Sequence, residues 1–141
     1  VLVITVLTGP FPTFTDKKTG KTKTQKFTCA WNCYYCPNEP GQPRSYLHDE
    51  PSVLRANRND FDPVRQFCDR AATLAMNGHP VDNIALLVLG GTWTSYPQEY
   101  QVVFLDSRAF PSAPLSPQFS VSFVCSSVSL HLYAGTYHRS P

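Results

Sequence analysis

The chain has 141 residues, enough for one domain with a modest core. Its hydrophobic fraction of 42% is ordinary for a soluble protein, and a net charge of +2 excludes a chain that holds polyanions by bulk charge alone. No apolar run approaches the roughly 20 residues of a membrane span, and residues 1–7 lack the basic start and small-residue cleavage site of a signal peptide.

Residues 1–7 are an apolar, β-branched run closed by Gly9-Pro10, which predicts a buried strand. Residues 11–27 are polar, with Lys17, Lys18, Lys21, Lys23 and Lys26 spaced among threonines, and 16–20 read as a turn at the tip of a hairpin. A cysteine segment follows, then a Pro- and Gly-rich loop over 37–46. Asp62 as cap and Pro63 in the first position open a helix. Val64, Phe67, Ala71, Leu74 and Ala75 share one face of it, and Gly78 ends it. Residues 84–89 predict a second buried strand stopped by Gly90-Gly91, and 97–105 begin another helix. Strand, loop, helix, strand, helix is the rhythm of an α/β protein with parallel strands.

The end of the chain behaves differently. Residues 107–141 carry no charge besides Arg108, Arg139 and histidines, and 119–132 alternate serine with apolar residues. Alternation can mean an extra strand. The favoured expectation is instead a Ser/Pro-rich tail, non-native or poorly ordered, following a domain of residues 1–106. The chain opens on Val1 rather than Met, so a piece of a longer protein is expected.

Five cysteines is an odd count, and Cys29, Cys33 and Cys36 crowd into eight residues, a pattern of metal sites rather than of disulfide frameworks. That usage places the protein in a reducing, intracellular compartment. Three thiolates on one loop can hold three irons of a 4Fe-4S cube and leave the fourth open to an exogenous ligand. Three other readings stand beside this one: a redox pair of Cys33 and Cys36, a zinc site completed by His48, and a chance cluster. Gly90-Gly91-Thr92 closes the second strand, where α/β folds bind ligands and glycine lets a ligand approach the backbone. A simple tight turn is its bland alternative.

The spacing of Cys29, Cys33 and Cys36, with Tyr35 before the third cysteine, resembles the radical-SAM superfamily. Residues 33–104 resemble, more narrowly, the catalytic subunit of Elongator, which modifies tRNA uridine. Cys33-Tyr34-Tyr35-Cys36-Pro37 is similar to the family's cluster loop, and Glu50-Pro51, Arg55-Ala56 and Asp62-Pro63 to its linker. Gly78-His79, Val81-Asp82, the segment 88–92 and Pro97 to Tyr100 resemble the stretch around its second strand. The gap between Cys29 and Cys33 departs from the family and follows the broader superfamily.

The resemblance implies a partial, truncated (β/α) barrel, with the cluster loop at 27–37 and the second strand at 84–92. It implies a 4Fe-4S cluster on Cys29, Cys33 and Cys36, and S-adenosyl-L-methionine (SAM) against Tyr35, Gly90, Gly91 and Thr92. The chemistry implied is reductive cleavage of SAM, hydrogen abstraction from an acetyl group supplied by acetyl-CoA, and addition to C5 of the wobble uridine of tRNA. No protein acid or base is expected. Further expectations are a cytoplasmic, and also nuclear, location, partner subunits of the Elongator type and no membrane association. Lys21, Lys23, Lys26, Arg55 and Arg58, near Trp31 and Tyr46, are the residues expected to grip RNA, a solvated basic loop being the alternative. The family's later barrel strands and acetyltransferase domain have no counterpart in the sequence, so a fragment inactive by itself is expected. Overall the alternatives to this enzyme are a zinc-stabilised RNA-binding module and an inactive truncation.

Overall fold

The structure, a computed structural model, describes residues 1–81, 84–106 and, for the backbone, 83 and 120–125. Its elements run β1 (Leu2–Leu7), β2 (Thr13–Thr15), β3 (Thr22–Thr24), α1 (Pro51–Arg58), α2 (Pro63–Met76), β4 (Asn83–Leu89), a 3-10 turn (Trp93–Ser95), α3 (Gln98–Leu105) and β5 (Ser120–Cys125). β1, β4 and β5 form an open parallel sheet in that order, with Leu2 opposite Ile84 and Leu7 opposite Leu89. The parallel α/β arrangement expected from the sequence is present, whereas a barrel is not formed by the described residues. Among them, no helix is long and apolar enough to cross a membrane.

The local causes follow the sequence closely. Val3, Ile4, Thr5 and Val6 favour extended backbone through their branched or pleat-filling side chains. Ile4 and Val6 are fully buried and join Ile84, Leu86 and Val88 of β4 with Phe67, Ala71 and Leu74 of α2. The Asp62 carboxylate accepts from the Arg65 amide at 2.7 Å, so the expected cap on α2 is in place, and Gly78 beyond its end takes a left-handed φ of 81°. Residues 13–24 form the expected hairpin, with Thr13 opposite Thr24 and Thr15 opposite Thr22.

Two elements depart from the sequence reading. Glu50 to Asp62, read as linker, contains α1, whose Val53 and Ala56 pack on Leu7 in a second small core. Pro51 begins that helix, and left-handed Asp60 and Phe61 turn the chain out of it. Of the alternating stretch 119–132, residues Ser120–Cys125 form β5, in register from Asn83 opposite Ser120 to Val88 opposite Cys125. Residues 107–119 and 126–141 of the expected tail lie outside the described residues.

Candidate cysteine-loop site

The site lies at the carboxyl ends of β1 and β4, and Phe27 anchors the loop to it. The Phe27 amide donates to Pro10 O at 2.9 Å, and its ring is buried and stacked on Tyr96 with centroids 4.3 Å apart. Its edge also fills the space at Gly91, where an added Cβ would lie 2.4 Å from the ring. Two residues on, Cys29 Sγ comes within 3.4 Å of Thr92 Oγ1. The cysteine loop and the Gly-Gly-Thr turn therefore share one end of the sheet. The Thr92 hydroxyl and then the Trp31 amide hold the Cys29 thiol below its ordinary pKa, with burial opposing them.

The other expected ligands are placed differently. Cys33 is exposed, and half-buried Cys36 accepts from the Ser45 hydroxyl at 3.2 Å. Among the described residues, no three His, Cys, Asp or Glu side chains are gathered closely enough to hold one ion. The donor set nonetheless fits an iron–sulfur cluster in kind, because all three thiols are unbridged, belong to one loop, and are soft ligands. Two turns shape that loop, with Asn32 N on Cys29 O at 3.3 Å and Cys36 N on Cys33 O at 3.1 Å. His48, the fourth ligand of the zinc alternative, is instead held by Glu39 through Nδ1 at 2.7 Å and its amide at 2.8 Å. Tyr35 is almost fully exposed and meets Tyr34 edge to face at 5.9 Å.

The glycines face the protein itself. Gly90 has a φ of 153°, and a Cβ there would lie 1.7 Å from Thr8 Oγ1. Thr8 is buried, donates or accepts at 2.7 Å with the Tyr96 hydroxyl, and its amide bonds Leu89 O at 2.9 Å. The Tyr100 hydroxyl accepts from the Gly9 amide at 3.2 Å, and Tyr96 and Tyr100 stack with centroids 5.2 Å apart. These rings lace the two strand ends together beneath the cysteine loop. Trp93 packs on Tyr96 and Phe104.

Burial pushes the Tyr100 hydroxyl up to about 12, against the opposing bond to Gly9, and pushes Tyr96 up as well. A phenol whose folded pKa is raised contributes stability that is complete below its unfolded value of 10.0 and is lost as pH rises toward about 12. For Tyr100 that loss is about 3 kcal/mol. Urea unfolding between neutral pH and strongly alkaline pH should show that loss, with two phenols ionising only as the protein unfolds. Phenolate absorbance in which every tyrosine ionised near its ordinary value in the folded state would contradict it.

The basic residues divide. Lys21 and Lys26 are exposed, as is Arg58 at the end of α1. Lys23 is paired with Asp16 at 2.5 Å, a contact that with the Lys18 amide pulls the Asp16 carboxyl down to about 2. Arg55 is half-buried and turned inward, donating to Thr5 O at 3.1 Å, so this residue of the expected RNA grip is engaged with β1. Sequence reasoning missed Thr8, Phe27, Tyr96 and Tyr100. The only signal for them was Tyr96, Tyr100 and Phe104 at four-residue spacing, an aromatic helical stripe.

Fold and site together define an α/β chain of parallel strands that carries a three-cysteine loop over the carboxyl end of its sheet. No family model matches it. Over about half its length it is similar to the Elongator catalytic-subunit family, as the sequence resemblance had it. It is 34% identical over 82 residues to tRNA uridine(34) acetyltransferase of Dehalococcoides mccartyi, covering 58% of this chain and 18% of that protein. It is 38% identical over 80 residues to Elongator complex protein 3 of Mus musculus, covering 53% and 15%. For Elongator complex protein 3 of Saccharomyces cerevisiae the figures are 36% over 78 residues, 52% and 14%. The chain thus spans less than a fifth of the length of these relatives.

Proposed function

We propose that this chain supplies the cluster- and SAM-binding end of a radical-SAM enzyme of the Elongator catalytic-subunit type, which modifies the wobble uridine of tRNA. The observation that carries the reading is the Cys29 thiol resting on Thr92, which joins the cysteine loop to the glycine turn at the ligand-binding end of parallel strands. In this reading Cys29, Cys33 and Cys36 hold a 4Fe-4S cluster, and Tyr35, Gly90, Gly91 and Thr92 border SAM. Such a cluster, when bound, supplies the electron for reductive cleavage of SAM. The protein's own part is to fix the loop through Phe27, to keep the strand ends dry through Tyr96 and Tyr100, and to offer thiolates, Cys29 most readily. Lys21, Lys26 and Arg58 remain exposed for an RNA backbone, while Lys23 must first leave Asp16 and Arg55 must leave Thr5. Acetyl-CoA and Elongator-type partner subunits enter through the rest of such an enzyme, in the cytoplasm and the nucleus.

Anaerobic reconstitution with iron and sulfide should give a brown protein with about four irons and four sulfides per chain, the stoichiometry of a cube. Cys33→Ala should lose the colour while keeping the melting temperature of the apoprotein, since Cys33 is exposed. An unchanged spectrum in that variant, or stoichiometric zinc without sulfide, would overturn the reading.

A further inference from the structure

Between the Pro/Gly loop and residues 10–12 lies a cavity of about 120 Å³, with Lys26, Asn38, Glu39, Gln42 and Arg44 in its lining. Two cations face this small space, and among the described residues neither forms an ion pair. The one carboxylate in the lining is turned to His48, Glu39 Oε1 lying 2.7 Å from His48 Nδ1 and Oε2 accepting from the His48 amide. Arg44 uses one terminal guanidinium nitrogen on Asn32 Oδ1 at 2.8 Å, and its other terminal nitrogen has no hydrogen bond among the described residues. Gln42 has its carbonyl oxygen occupied by Asn57 at 3.0 Å, which leaves its NH2 as a donor.

The backbone holds these donors in place. Gln25 N on Pro12 O and Phe27 N on Pro10 O bracket Lys26, and Tyr46 N on Pro43 O and Ser45 N on Pro37 O bracket Arg44. Two cations without ion-pair partners and a free amide donor around one small cavity suit an anion with several oxygens. We infer that this cavity binds a single phosphate group, its oxygens held by Arg44 and Lys26 with the Gln42 amide as a further donor. Arg44 also grips Asn32, which lies between Cys29 and Cys33, so an occupied site stiffens the cysteine loop. None of the phosphate-holding residues is a cysteine, so the inference stands apart from the cluster reading.

The test is a titration of the full chain with inorganic phosphate at constant ionic strength, chloride making up the balance, followed by proton–nitrogen correlation spectra. The Arg44 Nε–H and the Asn32 side-chain amide should shift along saturable curves, and the melting temperature should rise. Lys26→Gln should weaken binding at least tenfold without unfolding the protein, since Lys26 is exposed. Arg44→Lys should weaken it as much, and should also release the Asn32 amide. A parallel titration with dimethyl phosphate separates two sources. Saturation by the diester points to a nucleic-acid backbone, and saturation by inorganic phosphate alone points to a free or terminal phosphate. Linear shifts matching those in chloride, or undiminished affinity in Lys26→Gln, would overturn the site.

Discussion

Gly90→Ala should destabilise the protein by about 2–6 kcal/mol, more than the same change at Gly41. Two costs combine at Gly90. Its φ of 153° is a conformation that side-chain-bearing residues rarely adopt, worth roughly 1–3 kcal/mol. The new Cβ would also fall 1.7 Å from Thr8 Oγ1, and forcing a buried side chain aside costs roughly 1–3 kcal/mol more. Thr8 has little freedom to yield, being fully buried and bonded to Tyr96 at 2.7 Å. Gly41 has a positive φ of 76° with nothing within 4 Å of its Cβ position, so alanine there should cost only about 1 kcal/mol of backbone strain. Thr8→Ala in the Gly90→Ala background should recover part of the loss, because the hydroxyl is gone while the Thr8 Cβ, 3.0 Å away, remains. Chemical denaturation of the three variants and the wild type measures all of this. Equal losses at Gly90 and Gly41 would show that the turn is not packed as described.

The same turn shows which parts of the molecule were legible in the sequence. Periodicity depends on near neighbours, so β1, α2, β4 and α3 could be read from their own residues, as could the Asp62 cap and the hairpin at 13–24. α1 could not, since the eight residues from Pro51 to Arg58 offer only Val53 and Ala56 as buried apolar positions, too few for a period. The glycines at 90 and 91 were legible as a place needing close approach. What approaches them, Thr8 and Phe27, lies more than sixty residues away in the chain, beyond any local pattern. The cysteine loop was legible as a donor set, and its tie to Thr92 as an expectation of topology. The inward turn of Arg55 depends on Thr5 O across the sheet edge and left no mark on the local sequence.

Gln66→Leu should cost about 2–6 kcal/mol, although it exchanges a polar residue for an apolar one in a fully buried position. Among the described residues β1 is the outer strand of the sheet, paired only with β4, so every second residue turns its N–H and C=O away from the ladder. At Leu7 those groups meet α1 and α2 instead of water, and they must find partners in the protein. Gln66 supplies both, with Oε1 accepting from Leu7 N at 2.9 Å and Nε2 donating to Leu7 O at 2.9 Å. The planar amide mimics the edge of a neighbouring strand and closes the sheet at that point. Leucine has the size but neither group, and leaves a buried donor and a buried acceptor unsatisfied, each at roughly 1–3 kcal/mol. Gln66→Glu adds a signature that packing alone cannot produce. Its protonated form can reproduce both bonds, whereas its carboxylate would set a buried charge against the Leu7 carbonyl, which raises its folded pKa above the unfolded value. The variant should therefore approach the wild type in acid and lose stability as pH rises through the ordinary glutamate range of about 4.3 and beyond. Urea titrations of wild type, Gln66→Leu and Gln66→Glu in mild acid and at neutral pH distinguish the cases. A Gln66→Leu protein as stable as the wild type, or a Gln66→Glu protein indifferent to pH, would mean that Leu7 finds its partners elsewhere.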